Sequence, residues 1–332
     1  MKRPLIIAEC AVEHLGSLEV AKQMAYVSEK IGVDIVKYQL HLPSEEMLPN
    51  KIKFWGGSLD SILKKYNLSI SDHYELFSYC KKIGIEYLCT PFSPKAVDIL
   101  NEIGVKRFKT GSGEMMNFPL IDRIIKTKKP LIMSTGMASL DEIDIAVKYF
   151  LQKSKRNNLL TITNCTSIYP CPNSKVNLGL IKTYKDKYKI PVGHSDHTPD
   201  IYSSLGAVAL GASIIEKHFT LNKELRGPDY AVSIEPDEMR NLVIGAKKIF
   251  LSSGNKKTIH NAEKLTRNWA YHSIVSKKNI KKGDILSRSN ITIKRPSGGV
   301  PAREYNNTIG KKYMSNLKKN EQLKKKYIKL SL

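Results

Sequence analysis

Pro191-Val192-Gly193-His194-Ser195-Asp196-His197-Thr198 and, shortly after it, Ser213-Ile214-Ile215-Glu216-Lys217-His218-Phe219-Thr220 are the stretches whose reading decides the fold. Each reads as a late β-strand that closes on a histidine. In a repeating β/α architecture the carboxyl ends of the strands converge on one face, so side chains far apart in sequence meet there. His197 and His218 are therefore read as a two-histidine metal site. Two neutral imidazoles leave several coordination positions open, which suits a catalytic ion better than a closed structural one. A lone histidine near a strand end is more often a hydrogen-bonded core or rim residue, so the other strand ends must carry the argument.

Working outward, short apolar runs alternate with amphipathic stretches, the pattern of βαβ units and a parallel sheet. The strand-like runs are 5–10, 35–40, 86–90, 107–111, 130–135, 159–165, 191–195 and 213–220. Eight of them predict a closed (β/α)8 TIM barrel. Helical patterns lie between them at 17–31, 71–83, 119–127, 139–153 and 235–250, and Ser139-Leu140-Asp141-Glu142 has the form of a capping box. The insert over 41–69, with Phe54-Trp55-Gly56-Gly57, has no clear period and is read as a lid or interface loop. After about residue 255 the pattern changes to short β-like runs separated by turn signals such as Lys282-Gly283-Asp284 and Pro296-Ser297-Gly298-Gly299. The expected division is a catalytic barrel over 1–255, a linker over 256–272 and a small β-rich domain over 273–332.

Composition excludes several classes. At 332 residues, 41% hydrophobic and 26% charged, the chain is ordinary for a globular protein, neither disordered nor membranous. No apolar run reaches the ~18 residues of a membrane span. Met1-Lys2-Arg3-Pro4 leads into Leu5-Ile6-Ile7-Ala8, which Glu9 interrupts far short of a signal-peptide core, so a cytoplasmic protein is expected. Cys10, Cys80, Cys89, Cys165 and Cys171 are odd in number and scattered, which fits reduced thiols; Cys10, Cys89 and Cys165 sit in apolar runs and read as small hydrophobes. The net charge of +23 is spread over nearly every helix-like segment with no RNA- or DNA-binding motif. Neither nucleic acid nor membrane is an expected partner, and a general attraction for small anions is the milder inference. The densest basic patch is Lys318-Lys319 through Lys324-Lys325-Lys326.

The remaining strand ends are polar, as a barrel active face requires. The first closes on Glu9, with Glu13-His14 following, and the second carries Lys37-Tyr38-Gln39. The third and fourth give Thr90-Pro91-Phe92-Ser93 and Lys109-Thr110-Gly111-Ser112-Gly113-Glu114. The fifth and sixth give Ser134-Thr135-Gly136-Met137 and Thr166-Ser167-Ile168-Tyr169-Pro170. Two lysines and several hydroxyls on one face suit a ligand bearing phosphate and carboxylate.

These motifs, together with Ile6-Ile7-Ala8-Glu9, Ser195-Asp196-His197-Thr198 and Glu216-Lys217-His218-Phe219-Thr220, resemble the N-acetylneuraminate (sialic acid) synthase family over nearly the whole chain. The tail, with Lys294-Arg295-Pro296 and Ile309-Gly310-Lys311-Lys312, resembles that family's antifreeze-like (SAF) domain. The resemblance implies condensation of phosphoenolpyruvate with the open-chain aldehyde of an N-acyl amino sugar, N-acetylmannosamine first, giving N-acetylneuraminate and phosphate. Legionaminic- or pseudaminic-type diacetamido sugars are the rival acceptors. It implies a divalent metal, Mn²⁺ first with Mg²⁺ or Co²⁺ as alternatives, on His197 and His218. Lys37, Thr90, Lys109, Ser112, Ser134 and Ser195 would bind phosphoenolpyruvate; Gln39, Glu9, Glu114, Tyr169 and Asp229 would line the sugar side. Arg295 would reach that side from the tail of the partner in a domain-swapped homodimer. The ion would polarise the aldehyde oxygen, and Glu9 or Glu114 would deprotonate the water that adds before phosphate leaves.

Three positions depart from the family pattern. Glu13-His14-Leu15-Gly16 stands where relatives carry Asn-His-Glu-Gly or Asn-His-Asn-Gly, putting an extra carboxylate near the site. Ser167 stands where some carry Asn, and Tyr271-His272 replaces an arginine pair. The competing readings are another phosphoenolpyruvate-dependent aldol-type synthase, which would need a sugar phosphate, and a polyanion-binding protein, which would need no metal.

Overall fold

The computed structural model describes residues 3–48, 53–54 and 57–329. The chain divides into two compact units, Met1–Gly254 and Asn255–Leu332. In the first, eight strands form one parallel sheet: β1 (Leu5–Ala11), β2 (Ile35–Leu40), β3 (Glu86–Pro91), β4 (Phe108–Thr110), β5 (Leu131–Ser134), β6 (Leu160–Cys165), β7 (Val192–Asp196) and β8 (Ile214–His218). Their order is β3-β2-β1-β8-β7-β6-β5-β4. The two ends of that order, β3 and β4, pack side by side and close the sheet into a TIM barrel.

Period-2 alternation sorts each strand into an inner and an outer set. Ile7, Ile35, Leu88, Ile132 and Ile214 fill the interior as a separate apolar cluster. The outer positions, such as Ala8, Val36, Tyr38, Cys89 and Ile215, join the main core beneath the helices. Helices start where the sequence supplies a cap. Ser69 and Ser139 each close a capping box, with Asp72 and Glu142, and Gly32 ends the first helix at φ 92°, a conformation that disfavours a side chain. Near its carboxyl end β1 carries a register shift between Glu9 and Ala11, which pairs Glu9 with Lys37 and Ala11 with Tyr38. Such a bulge re-aims side chains.

Within the 41–69 insert, the short strands Lys53–Phe54 and Gly57–Ser58 pair antiparallel, followed by a helix over Leu59–Tyr66. Trp55 and Gly56 of the expected lid lie outside the described residues. The second unit contains β9 (Ser273–Ser276) antiparallel to β10 (Ile291–Lys294), and β11 (Lys312–Tyr313) antiparallel to β12 (Ile328–Lys329). Its small core is Ile274, Ile280, Leu286, Ile291, Val300, Tyr313 and Leu323. The segment 256–272, expected as a linker, falls within this unit and carries a helix over Glu263–Ala270. No helix among the described residues is long and apolar enough to cross a membrane.

Gly193 shows how tightly the barrel closes. A Cβ there would lie 2.9 Å from the Ile214 carbonyl oxygen and 3.1 Å from Thr163 Cγ2. The neighbouring strands leave no room for it, so Gly193→Ala is expected to destabilise the barrel by about 1–3 kcal/mol and lower its melting temperature by several degrees. An unchanged thermal melt would contradict that packing.

Candidate active site

At the carboxyl ends of the strands lies a cavity of about 520 Å³ whose walls come from residues 9–229. Glu9, Lys37, Gln39, Thr90, Lys109, Ser112, Glu114, Ser134, Tyr169, Ser195, His197, His218 and Asp229 all line it. Of the residues proposed from sequence, Arg295 is the exception. It lies in the second unit, exposed, with its guanidinium 5.7 Å from the centroid of the Trp269 ring.

Four charged side chains form the floor, each 6% exposed or less. Lys37 Nζ lies 2.5 Å from Glu9 Oε2 and 3.7 Å from Glu216 Oε1, and Lys109 Nζ lies 3.4 Å from that same Glu216 oxygen. Ser195 Oγ donates to Glu216 Oε1 at 3.2 Å, and Lys37 donates to Thr90 Oγ1 at 3.0 Å. Burial alone would lower the Lys37 pKa, but Glu216 and Glu9 more than offset it, and the net direction is up. Burial would raise the Glu216 pKa, yet Lys109 and Lys37 bring it below the ordinary carboxylate value. Glu9 goes the other way, raised by burial despite Lys37. The array therefore holds two lysine side chains, each with one N–H donor left over, beside hydroxyls from Thr90, Ser134 and Ser195.

Gly136 brings a second group of polar atoms together. Its N–H donates to Ser112 Oγ at 3.0 Å, and a Cβ on it would meet Ser167 Oγ at 2.2 Å, Ser112 Oγ at 2.6 Å and Cys165 Sγ at 3.1 Å. Cys165 therefore faces the cavity, unlike Cys10 and Cys89. Its Sγ lies 3.9 Å from His197 Nδ1, and although burial pushes the thiol up, His197 brings it down to about 6. The same contact, with the Thr166 carbonyl, raises His197 against the effect of its burial.

The ring centroids of His197 and His218 are 5.3 Å apart, and Tyr169 packs on both, at 4.2 and 5.8 Å. His197 Nδ1 lies 2.7 Å from the Thr166 carbonyl oxygen. Donation to that carbonyl fixes which nitrogen faces the cavity and aims Nε2 at a ligand, as the carbonyl partners of metal-binding histidines do. Burial, then the charge on His197, pushes His218 well below the ordinary histidine pKa, so its ring is neutral, the form that ligates. His218 Nδ1 is buried without a hydrogen bond, 3.5 Å from Asp229 Oδ2. Both rings can therefore hold a divalent ion, His218 as it stands and His197 on giving up its Nε2 proton. Among the described residues no group of three or more His, Cys, Asp or Glu side chains is gathered for a metal, so the protein itself offers only the imidazole pair.

On the opposite wall Gln39 Nε2 donates to Glu9 Oε1 at 3.0 Å, and Gln39 Oε1 meets His41 Nε2 at 3.0 Å. Glu13 does not line the cavity. It is buried behind it, and its Oε1 accepts the Asp229 N–H at 2.6 Å. Burial, then Glu13, lifts Asp229 to about 7. Burial also lifts Glu114 to about 7, and its Oε2 is buried without a hydrogen-bond partner. Sequence reasoning assigned no role to Glu216, His41 or Cys165. Alternation was the available signal for Glu216, because it lies two residues before His218 and so shares its inward face.

With this geometry in view, comparison with known proteins is decisive at the level of class. Residues 24–258 match the NeuB family and residues 271–329 the SAF domain. The N,N'-diacetyllegionaminic acid synthase of Campylobacter jejuni is 39% identical over 98% of this chain and 100% of its own. The enzyme of that name from Legionella pneumophila is 37% identical over 94% of this chain and 91% of its own. The crystal structure of an N-acetylneuraminic acid (sialic acid) synthetase from Leptospira borgpetersenii, bound to citrate, superimposes with a TM-score of 0.72 at 32% identity, over 80% of this chain and 90% of that one. The chain belongs to the NeuB family, with a C-terminal SAF domain. It is an enzyme, a transferase of the nonulosonic acid synthase kind that forms a carbon–carbon bond with phosphoenolpyruvate.

The raised Glu114 gives a test of the site's electrostatics. A carboxyl with a folded pKa near 7 and an ordinary unfolded value of 4.5 contributes stability that is full below about 4.5 and lost as pH rises to about 7. Glu114→Gln removes that dependence. The melting temperature of the variant relative to wild type is expected to be higher at pH 8 than at pH 5, and a difference independent of pH would contradict the assigned shift.

Proposed function

We propose that this chain condenses phosphoenolpyruvate with the open-chain aldehyde of a diacetamido-trideoxyhexose, giving N,N'-diacetyllegionaminic acid and phosphate with the help of a divalent ion, Mn²⁺ first. The observation that carries the reading is a single cavity joining the Lys37–Glu216–Lys109 array to the His197–His218 pair. The acceptor rests on the two relatives at 39% and 37% identity, both named for that product. N-acetylmannosamine, giving N-acetylneuraminate, is the second reading, and the Leptospira enzyme supports it at 32% identity.

Lys37 and Lys109 hold the phosphate and carboxylate of phosphoenolpyruvate, with Thr90, Ser112, Ser134 and Ser195 supplying short hydroxyl donors. An ion on His197 and His218 would supply Lewis-acid polarisation of the aldehyde oxygen. Gln39, Tyr169 and Asp229 line the sugar side and orient the aldehyde toward the enol carbon. Glu9 is committed to Lys37 and Gln39, whereas Glu114, near pH 7 and with a free buried oxygen, takes the proton of the water that adds before phosphate departs. Phosphoenolpyruvate is a metabolite of the cytoplasm, which supports a cytoplasmic reaction.

A domain-swapped homodimer completes the proposal, with Arg295 of one subunit reaching the sugar side of the other. Supporting it, Met137 and Tyr169 line the cavity and are both exposed, so the mouth of the site presents apolar surface that a partner's tail would cover.

Phosphate release from phosphoenolpyruvate is expected with Mn²⁺ and the diacetamido sugar, to vanish with EDTA, and to fall to background in His218→Ala. Metal-independent release, or activity retained in that variant, would overturn the metal assignment, and faster turnover of N-acetylmannosamine would favour the second reading. Arg295→Ala is expected to raise the KM for the sugar tenfold or more, as loss of a charge-assisted hydrogen bond of ~1.5–3 kcal/mol implies. An unchanged KM would defeat the capping by the partner's tail.

A further inference from the structure

Asp196 and Lys217 alternate with the residues that line the cavity. Ser195 and His197 on one strand, and Glu216 and His218 on the next, face inward, so Asp196 and Lys217 point outward toward the helix over Tyr202–Ala209. The register sets Asp196 directly opposite Lys217, one step from the Ser195–Glu216 pair. Both side chains are 0% exposed, and Lys217 Nζ lies 3.5 Å from Asp196 Oδ2. The interface between a barrel and its helices is normally apolar, and an apolar pair of similar volume would be as stabilising here or more so. Stability alone does not explain a buried ion pair in this place.

The contacts it makes do. Asp196 Oδ1 accepts the Thr198 N–H at 2.8 Å, and Lys217 Nζ donates to the Thr198 carbonyl oxygen. The two charges thus grip both polar groups of the residue that follows His197. The His197 carbonyl is held in turn by the Cys171 N–H at 2.8 Å. On the far side, Ser203 Oγ and Ser204 Oγ each donate to Asp196 Oδ2 at 2.6 Å, which anchors the carboxylate to the helix. Every bond in this set restrains the peptide from which the His197 ring projects.

We propose that the Asp196–Lys217 pair is a positioning device that fixes the His197 backbone and so sets the ring's approach to His218. The inference rests on the two-histidine metal reading above. Asp196 and Lys217 are not catalytic residues, since neither lines the cavity, and their effect passes through His197.

The test is a calorimetric titration of metal-free, full-length protein with Mn²⁺, comparing wild type, Lys217→Met and Ser204→Ala, with melting temperatures recorded in the absence of metal. Lys217→Met is expected to weaken Mn²⁺ binding by about 10–100-fold, the usual effect of losing an outer-shell partner, and Ser204→Ala to weaken it severalfold. Ser204→Ala removes a single hydroxyl and decides the matter should Lys217→Met fail to fold. Lower melting temperatures with unchanged Mn²⁺ affinity in the folded variants would mean a purely structural role and would overturn the proposal. A wild type that binds no Mn²⁺ would sink the two-histidine reading and this inference with it.

Discussion

Everything at the open end of this barrel depends on burying Glu9, Lys37, Glu216 and Lys109 together. Any one of them alone, stripped of water, would cost several kcal/mol, and the group would give up its charge before it stayed there ionised. As a set they alternate in sign, and the two lysines converge on one Glu216 oxygen. That oxygen also accepts from Ser195, so β7 and β8 are tied from inside the barrel. The array is therefore both a charge balance and a cross-barrel strut. An anionic ligand bound there exchanges protein carboxylate contacts for its own, which favours a substrate carrying more than one negative group.

The barrel solves a second problem with the same alternation. Strand tips must present polar groups inward without losing their grip on the helices outside. At β1 and β2 the outer positions are apolar, as with Ala8, Cys10 and Tyr38, whose hydroxyl donates to the Ala21 carbonyl at 2.7 Å. At the tips of β7 and β8 the outer residues Asp196 and Lys217 are charged, and the helix over Tyr202–Ala209 meets Asp196 with serine hydroxyls. The two arrangements differ in stiffness. Hydrogen bonds and an ion pair restrict direction, while apolar packing restricts mainly distance. The stiffer device lies beside the two imidazoles.

Much of this was legible in the residues. Eight apolar runs and their polar closing residues predict the barrel, because strand period and convergence of strand ends are local and topological facts. What stayed hidden depended on depth and on partners. Cys165 sits in an apolar run and reads as a small hydrophobe, yet Gly136 opposite it leaves a gap through which its sulfur faces the cavity. Glu216 was overshadowed by His218, although the two share a face. Glu13 was placed near the site by its motif, but that it accepts an N–H from Asp229, 216 residues away, is a tertiary contact that no spacing rule reveals. The 258–270 stretch is polar and weakly periodic in sequence, which gives little sign of the helix over Glu263–Ala270.

The two halves of the cavity are built differently, and that difference bears on how a family can keep one reaction while changing its sugar. Of the residues proposed for phosphoenolpyruvate, Lys37, Thr90, Lys109, Ser134 and Ser195 lie on barrel strands, each held by at least one backbone ladder, and Ser112 lies just beyond one. A shift there would disturb the ladder and the buried charge array at once. Of the residues proposed for the sugar, Gln39 lies on β2, whereas Tyr169 and Asp229 sit on loops beyond the strands, and Asp229 takes its position from the Glu13 carboxylate. Loops tolerate substitution because fewer backbone hydrogen bonds depend on their course. Glu13 is the kind of change this permits. A carboxylate behind the loop alters the charge state and placement of Asp229 while leaving Lys37, Lys109 and the imidazole pair where the barrel puts them.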